Sequence, residues 1–468
     1  MNMKIKKSII FLVTILFSQF SSATNDKHQK LCGGLLGSPH LLYQAIKDIT
    51  KEQRGEFLTP TVSGNGLWLA TSYAENEKHV VQVAKIEGKK IKPFRMLPDA
   101  KNRHPQFTHF SHTGNRLITF FADEPQSNFN EFDVWDVDTH KVIYSSTTDW
   151  AETPELKLSP GGRFLMFRNN TRKVEINLGK PKGERVKISN NDSAPIVVID
   201  LESGQEIQLK KIKIPGSQDH LPSIQATAFL SENEIMVAFD GTLLPQVYEI
   251  TASGINLKTQ FKDRANRKSI ETIINSMEPG WNTYTPNGIA VDYESGDVVV
   301  FGRVHQTLAK QEDRSGRTRV LKELDYNVFS VWNARTGMIE KVYSPNVQVY
   351  DFQQPTVSIP KGNPEKMNAN QRASFNLALK AFIQTYAAGF TSYGVLRRDK
   401  NGRRILSVQM TGFSGNSIQS FDLTSNVEMP TIPPHQLGYG NIASPGSNQL
   451  ITTGQDARAI LWNFELPD

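Results

Sequence analysis

The chain has 468 residues, 38% of them apolar and 21% charged. That is a globular balance, and it excludes a disordered, collagen-like or multi-span membrane chain. One cysteine excludes a disulfide framework and any multi-cysteine zinc or iron–sulfur site. The formal charge is +6, but three of the 53 basic residues (Lys4, Lys6 and Lys7) stand at the N-terminus; the other 50 face 47 acidic residues, an excess of +3. So small a bias does not suit a nucleic-acid reader.

Residues 1–23 have the layout of a signal peptide. The lysines are followed by a mostly apolar run, Ser8 to Phe20, which is short for a membrane span. Ser21-Ser22-Ala23 then offers small residues for cleavage. The expectation is export, with Thr24 near the mature start and a periplasmic or secreted location. Cys32 follows Gln29, Lys30 and Leu31, which lack the small residues of a lipoprotein signal. Residues 24–56 form an N-terminal segment, and residues 57–468 carry a repeat.

The repeat unit is a short apolar strand, a Ser/Pro/Gly/Asn turn, a second strand, a loop, a third strand often ending in Asp or Asn, a turn and a fourth strand. Its clearest copy is Leu156 to Leu209. Leu156-Lys157-Leu158 leads into Ser159-Pro160-Gly161-Gly162, then Arg163 to Arg168, Pro195 to Asp200, Ser203-Gly204, and Gln205 to Leu209. Six other segments fit, with turns at Val62-Ser63-Gly64-Asn65-Gly66, Phe110-Ser111-His112-Thr113-Gly114-Asn115 and Ile442-Ala443-Ser444-Pro445-Gly446 among them. Seven four-stranded units predict an all-β, seven-bladed β-propeller, in which each small sheet buries both faces against its neighbours. Seven blades of about 45 residues leave room for insertions.

Some residues carry a family resemblance. Asp133-Val134-Trp135-Asp136 resembles the Trp-Asp ending of a WD40 repeat, as do Val331-Trp332-Asn333 and Ile460-Leu461-Trp462-Asn463. The Ser-Pro-Gly-Gly turn is similar to both WD40-like and TolB-like propeller repeats. The resemblance implies a rigid interaction platform.

The seventh unit stops after its third strand. A ring closed from the other terminus would use a piece between Leu31 and Phe57. Leu41 to Ile46 suits that outer strand, although Leu42, Ala45, Ile46 and Ile49 also have helical spacing. Two insertions show helical stripes. Residues 263–277 carry Ile270, Ile273, Ile274 and Met277, and residues 364–386 carry Phe375, Leu379, Phe382 and Tyr386. Both connect a fourth strand to the next first strand, so they predict two short helical insertions on one face. A third insertion, Gln306 to Glu323, joins the second and third strands of blade 5. It reads as a solvated loop leaving from the opposite face.

Catalytic signatures are lacking. There is no Gly-x-Ser-x-Gly, no His-Glu-x-x-His and no phosphate-binding Gly-rich loop. The ten histidines show no metal spacing, and no cofactor is expected. The basic run Arg397 to Arg404 falls where two strands of blade 6 turn and reads as a solvated tip. The connections before first strands are richer. His104, Glu152, His220, Trp281, Tyr284, Tyr386 and Tyr439 lie there and are expected to line the mouth of the ring, where aromatic groups with polar handles suit binding. The reading is a binding or scaffold protein that takes a protein partner or envelope polysaccharide. The alternatives are a carbohydrate-active propeller enzyme (glycoside hydrolase or lyase) and a structural subunit of an envelope complex.

Overall fold

The computed structural model describes residues 39–44, 60–75, 78–97, 103–122, 129–147, 155–168, 172–176, 186–190, 196–209, 224–239, 244–260, 282–312, 318–334, 336–343, 347–351, 389–399, 401–411, 417–425, 427–429, 439–446, 448–454 and 458–463. All regular structure among them is β-strand. The two helical insertions expected at 263–277 and 364–386 lie outside the described residues.

The strands form seven antiparallel meanders, the blades of a propeller. From the axis outward, blade 2 is His104–Phe110, Arg116–Ala122, Phe129–Asp136 and Lys141–Thr147. Blade 4 is Ile224–Ser231, Glu234–Phe239, Gln246–Thr251 and Gly254–Gln260. The first strands of blades 1, 3, 5 and 6 are Thr61–Val62, Glu155–Leu158, Asn282–Asp292 and Gly389–Arg398. Blade 7 runs Tyr439–Gly446, Gln449–Gly454 and Arg458–Asn463, and its fourth strand comes from the far end of the chain. His40–Gln44 pairs antiparallel with Arg458–Asn463, with His40 opposite Leu461.

Period-2 alternation builds the ring. In blade 3, Leu165, Phe167, Ile199 and Leu201 pack with Ile118, Phe120, Phe132 and Val134 of blade 2. Their sequence neighbours Phe164, Met166, Ile196 and Val198 pack on the other side with Phe229, Ile235, Val237 and Phe239 of blade 4. Equivalent clusters join every other adjacent pair, including blades 7 and 1 through Leu461, Ile451, Val62 and Leu69. Because both faces of each blade are buried, strands read as nearly continuous apolar runs. The third-strand tryptophans Trp135, Trp332 and Trp462 are all buried between blades. Trp332 Nε1 donates to Ser330 Oγ at 2.8 Å, and Trp462 Nε1 to Thr452 Oγ1 at 2.9 Å.

An antiparallel meander has two kinds of end. Turns from first to second strand and from third to fourth strand share one end of the ring, here the turn end. Connections from second to third strand, and from each fourth strand to the next blade, share the other, the mouth end. This corrects the expectation for Gln306 to Glu323. It joins second and third strands, so it stands on the mouth end. Nor is it a loop. Strands Asp297–Glu312 and Thr318–Asn333 stay paired out to Glu312 opposite Thr318. Val347–Asp351 pairs with the outer part of the second of these, giving a three-stranded arm. A second hairpin, Arg172–Ile176 with Val186–Asn190, leaves blade 3 at the same end.

Candidate functional site

At the turn end, the first turns of blades 1 to 4 are bonded into a belt. Ser63, Ser111 and Ser159 each cap their own turn by accepting from a backbone N–H five residues on (Trp68, Arg116 and Phe164) at 2.9–3.2 Å. Each turn then reaches the next blade. The Asn65 amide donates to the Thr113 carbonyl at 2.9 Å, and that of Asn115 to Gly161 at 2.7 Å. The Glu232 carboxylate of blade 4 accepts from Ser159 Oγ, Gly161 N and Arg163 N at 2.5, 2.6 and 2.8 Å. Gly114 sits at φ 81°, where an added Cβ would meet Trp68 Cδ1 at 2.3 Å. The axis is bridged here as well. The His112 ring of blade 2 lies 4.4 Å from the Tyr293 ring of blade 5, across the ring. Burial lowers the His112 pKa, partly offset by the Asp292 charge. Burial and the nearby Glu232 charge raise that of Tyr293.

The basic run differs from its sequence reading as a solvated tip. Arg397 is 5% exposed and donates to Ser407 Oγ at 2.7 Å. Arg398 and Arg404 converge on the buried Asp297 of blade 5, each with Nε 3.0 Å from Oδ2. Arg403 Nε donates to Asp399 at 2.6 Å. These cations tie blade 6 to itself and to blade 5, so they are not offered to an acidic partner.

Along the axis, side chains cover carbonyls on the free inner edges of first strands. Asn441 Nδ2 donates to Val62 O at 2.9 Å, and Thr61 Oγ1 to Thr108 O at 2.9 Å. Lys157 Nζ donates to Thr227 O, and Arg168 Nη1 reaches Ile224 O and Gln225 O at 2.8 and 2.7 Å. An inner strand has no further neighbour, and its carbonyls need partners where water is scarce. His109 stands beside this row. Burial, then repulsion from Lys157, lowers its pKa to about 4.

At the mouth end, the structure positions part of the expected set. His104 opens the first strand of blade 2 opposite Ala122, and Tyr439 opens that of blade 7 opposite Gly454. Tyr284, two residues into its strand, is 6% exposed and packs in the cluster between blades 4 and 5. It is a core residue at the mouth end, its hydroxyl without a hydrogen-bond partner and its pKa raised by burial. Glu152, His220, Trp281 and Tyr386 lie outside the described residues. Arg103, just before His104, is neutralised. It pairs with Glu131 at 2.8 Å and with the buried Asp133, and lies 3.8 Å over the Phe121 ring. Sequence reading missed the Lys157, His109 and Thr227 row, because a lysine or histidine amid strand residues gives no sign of facing an axis. It also missed the blade 3 hairpin and the ladder of the arm.

Among the described residues, no group of three His, Cys, Asp or Glu side chains is arranged to hold a metal. No protein-family model matches the chain, and no curated protein matches it either. The seven-bladed propeller is therefore established by its strands and clusters. It is a fold compatible with a binding or scaffold role, and a fold alone does not assign an activity.

Proposed function

We propose that this chain is an exported propeller of WD40-like or TolB-like type, and that it binds a protein partner or an envelope polysaccharide at the mouth of its ring. The observation that carries this reading is the asymmetry of the two ends. The turn end is short, cross-bonded and bridged at the axis, whereas the arm and the blade 3 hairpin stand at the mouth. Long connections on a rigid scaffold are where binding surfaces usually reside. The proposed contacts are His104, Glu152, His220, Trp281, Tyr386 and Tyr439, with Tyr284 supporting them from the core. Export rests on the signal-like residues 1–23 and would put the mature chain in the periplasm or outside the cell.

The test begins with capture of a partner from cell-envelope extract on the tagged full chain. Trp281→Ala with Tyr439→Ala should weaken capture while the melting temperature holds. Leu67→Glu and Arg163→Glu, at exposed turn-end positions, should leave capture intact. The reverse pattern would move the site to the turn end. N-terminal sequencing of the mature protein should start near Thr24, and an intact Met1 in the membrane fraction would overturn export.

A further inference from the structure

The blade 3 hairpin is a sheet of its own. Strands Arg172–Ile176 and Val186–Asn190 pair only with each other, and no other described element makes more than a marginal approach to either. Val174 stands opposite Ile188, and Ile176 opposite Val186. Period-2 alternation puts these four on one face of the hairpin. Lys173 opposite Ser189 and Glu175 opposite Lys187 make up the other. A two-stranded hairpin by itself is marginally stable at best in water, so an aliphatic face on one calls for a cover.

The charge of the same segment indicates what that cover is made of. Residues 172–190 hold six basic residues (Arg172, Lys173, Lys180, Lys182, Arg185 and Lys187) against Glu175 and Glu184. Beyond the three N-terminal lysines the chain has 50 basic and 47 acidic residues; without the hairpin these fall to 44 and 45. The hairpin therefore carries the whole positive excess. A second copy of the chain would bring the same charge and be repelled. The two insertions with apolar stripes, 263–277 and 364–386, each hold more basic than acidic residues, so neither complements it. Residues 172–190 contain no Phe, Tyr or Trp, the rings that anchor many protein interfaces. An aliphatic face among lysines and arginines suits a surface that offers hydrocarbon beneath negative headgroups.

We propose that the blade 3 hairpin docks on an anionic lipid membrane. The face of Val174, Ile176, Val186 and Ile188 meets the boundary of the acyl chains, and the basic residues meet the lipid phosphates. The hairpin stands at the mouth end, so docking brings that end of the ring to the bilayer. Lipid docking needs none of the rim contacts proposed above. Vesicle binding and partner capture are separate measurements, and either can fail without the other.

The experiment is vesicle co-sedimentation of the chain from Thr24 onward, so that the apolar run Ser8 to Phe20 does not itself bind lipid. Vesicles of phosphatidylglycerol and phosphatidylcholine in equal parts should carry the protein down, and vesicles of phosphatidylcholine alone should not. High salt should weaken the binding. Lys173→Glu with Lys187→Glu should lower the affinity roughly tenfold or more. Val174→Asn with Ile188→Asn should also weaken binding to vesicles, while binding to soluble polyglutamate stays as it was. Should either pair fail to fold, replacing residues 172–190 by a short Gly-Ser turn should abolish sedimentation. No binding to the anionic vesicles overturns the proposal, as does binding unchanged in the folded variants. Polyglutamate bound as tightly as the vesicles, with no effect of the Val174 and Ile188 pair, would overturn it in favour of an acidic protein surface.

Discussion

The two ends of the ring are built on different terms. At the turn end, short Ser/Gly turns repeat from blade to blade and bond to one another, and Glu232 alone receives three donors from the neighbouring blade. At the mouth end, the described connections differ from one another. Blade 3 adds a hairpin, blade 5 adds a three-stranded arm, and blade 2 holds its incoming chain with an arginine on two carboxylates. The contrast shows that the repeat is conserved within this chain where blades must meet and is released where they need not.

Substitutions at the turn end should therefore cost the most. Gly114→Ala puts a Cβ into Trp68 and forces an alanine to φ 81°. A loss of about 3 kcal/mol in urea unfolding is expected from crowding and backbone strain together. Glu232→Ala orphans Ser159 Oγ and two backbone N–H groups, which should cost about 2 kcal/mol. A loss below about 0.5 kcal/mol for both variants would mean that the belt does not tie the blades, and the contrast would break.

Acid should act on the same end. The pKa of His109 falls from 6.5 to about 4, and that of His112 is also lowered. As pH drops below 6.5, the unfolded chain takes up these protons first. Stability is thus full above pH 6.5 and declines toward pH 4, by about 2 kcal/mol once the burial of His109 is discounted for its residual solvent contact. Lys157 opposes the His109 charge, whereas Asp292 favours that of His112. The urea midpoint measured against pH should lose most of this slope in His109→Gln. An unchanged slope would place the acid sensitivity elsewhere.

Two smaller effects sharpen the comparison. His140 holds φ 58° in the third turn of blade 2, where blades 3 and 5 use Gly204 and Gly337 at φ 71° and 67°. His140→Gly should stabilise by about 0.5 kcal/mol, because glycine adopts this region without a Cβ penalty. Thermal unfolding should show a small rise; a fall would mean that the imidazole itself holds the turn. Trimming Glu312 to Arg319 from the tip of the arm should change the melting temperature least of all. A large drop would make the arm part of the ring's support.

Local pattern in the sequence determined the blade count and the strand order. Ser-Pro-Gly-Gly and its variants at regular intervals, apolar runs between them, and Trp-Asp or Trp-Asn strand ends need only near neighbours to be read. Trp135, Trp332 and Trp462 pack between blades because a large ring at a third-strand end suits that buried layer. The closing of the ring by His40–Gln44 was less legible, since a five-residue strand and a helical turn share the same apolar residues.

Tertiary structure alone decided the rest. Tyr284 stands in a polar stretch that reads as a connection before a strand, yet it lies within the strand and in the core, because the blade 4 face comes from residues far away in the chain. Arg397, Arg398 and Arg404 read as a charged tip until Asp297, about a hundred residues earlier, is brought beside two of them. Which end a connection occupies follows from the number of strand reversals in the whole sheet, and the arm's place at the mouth became visible only with its ladder. Period-2 alternation says that a residue lies on one of two faces. In a blade both faces are buried, so polarity does not tell the axis from the seam, and only the packed neighbours do.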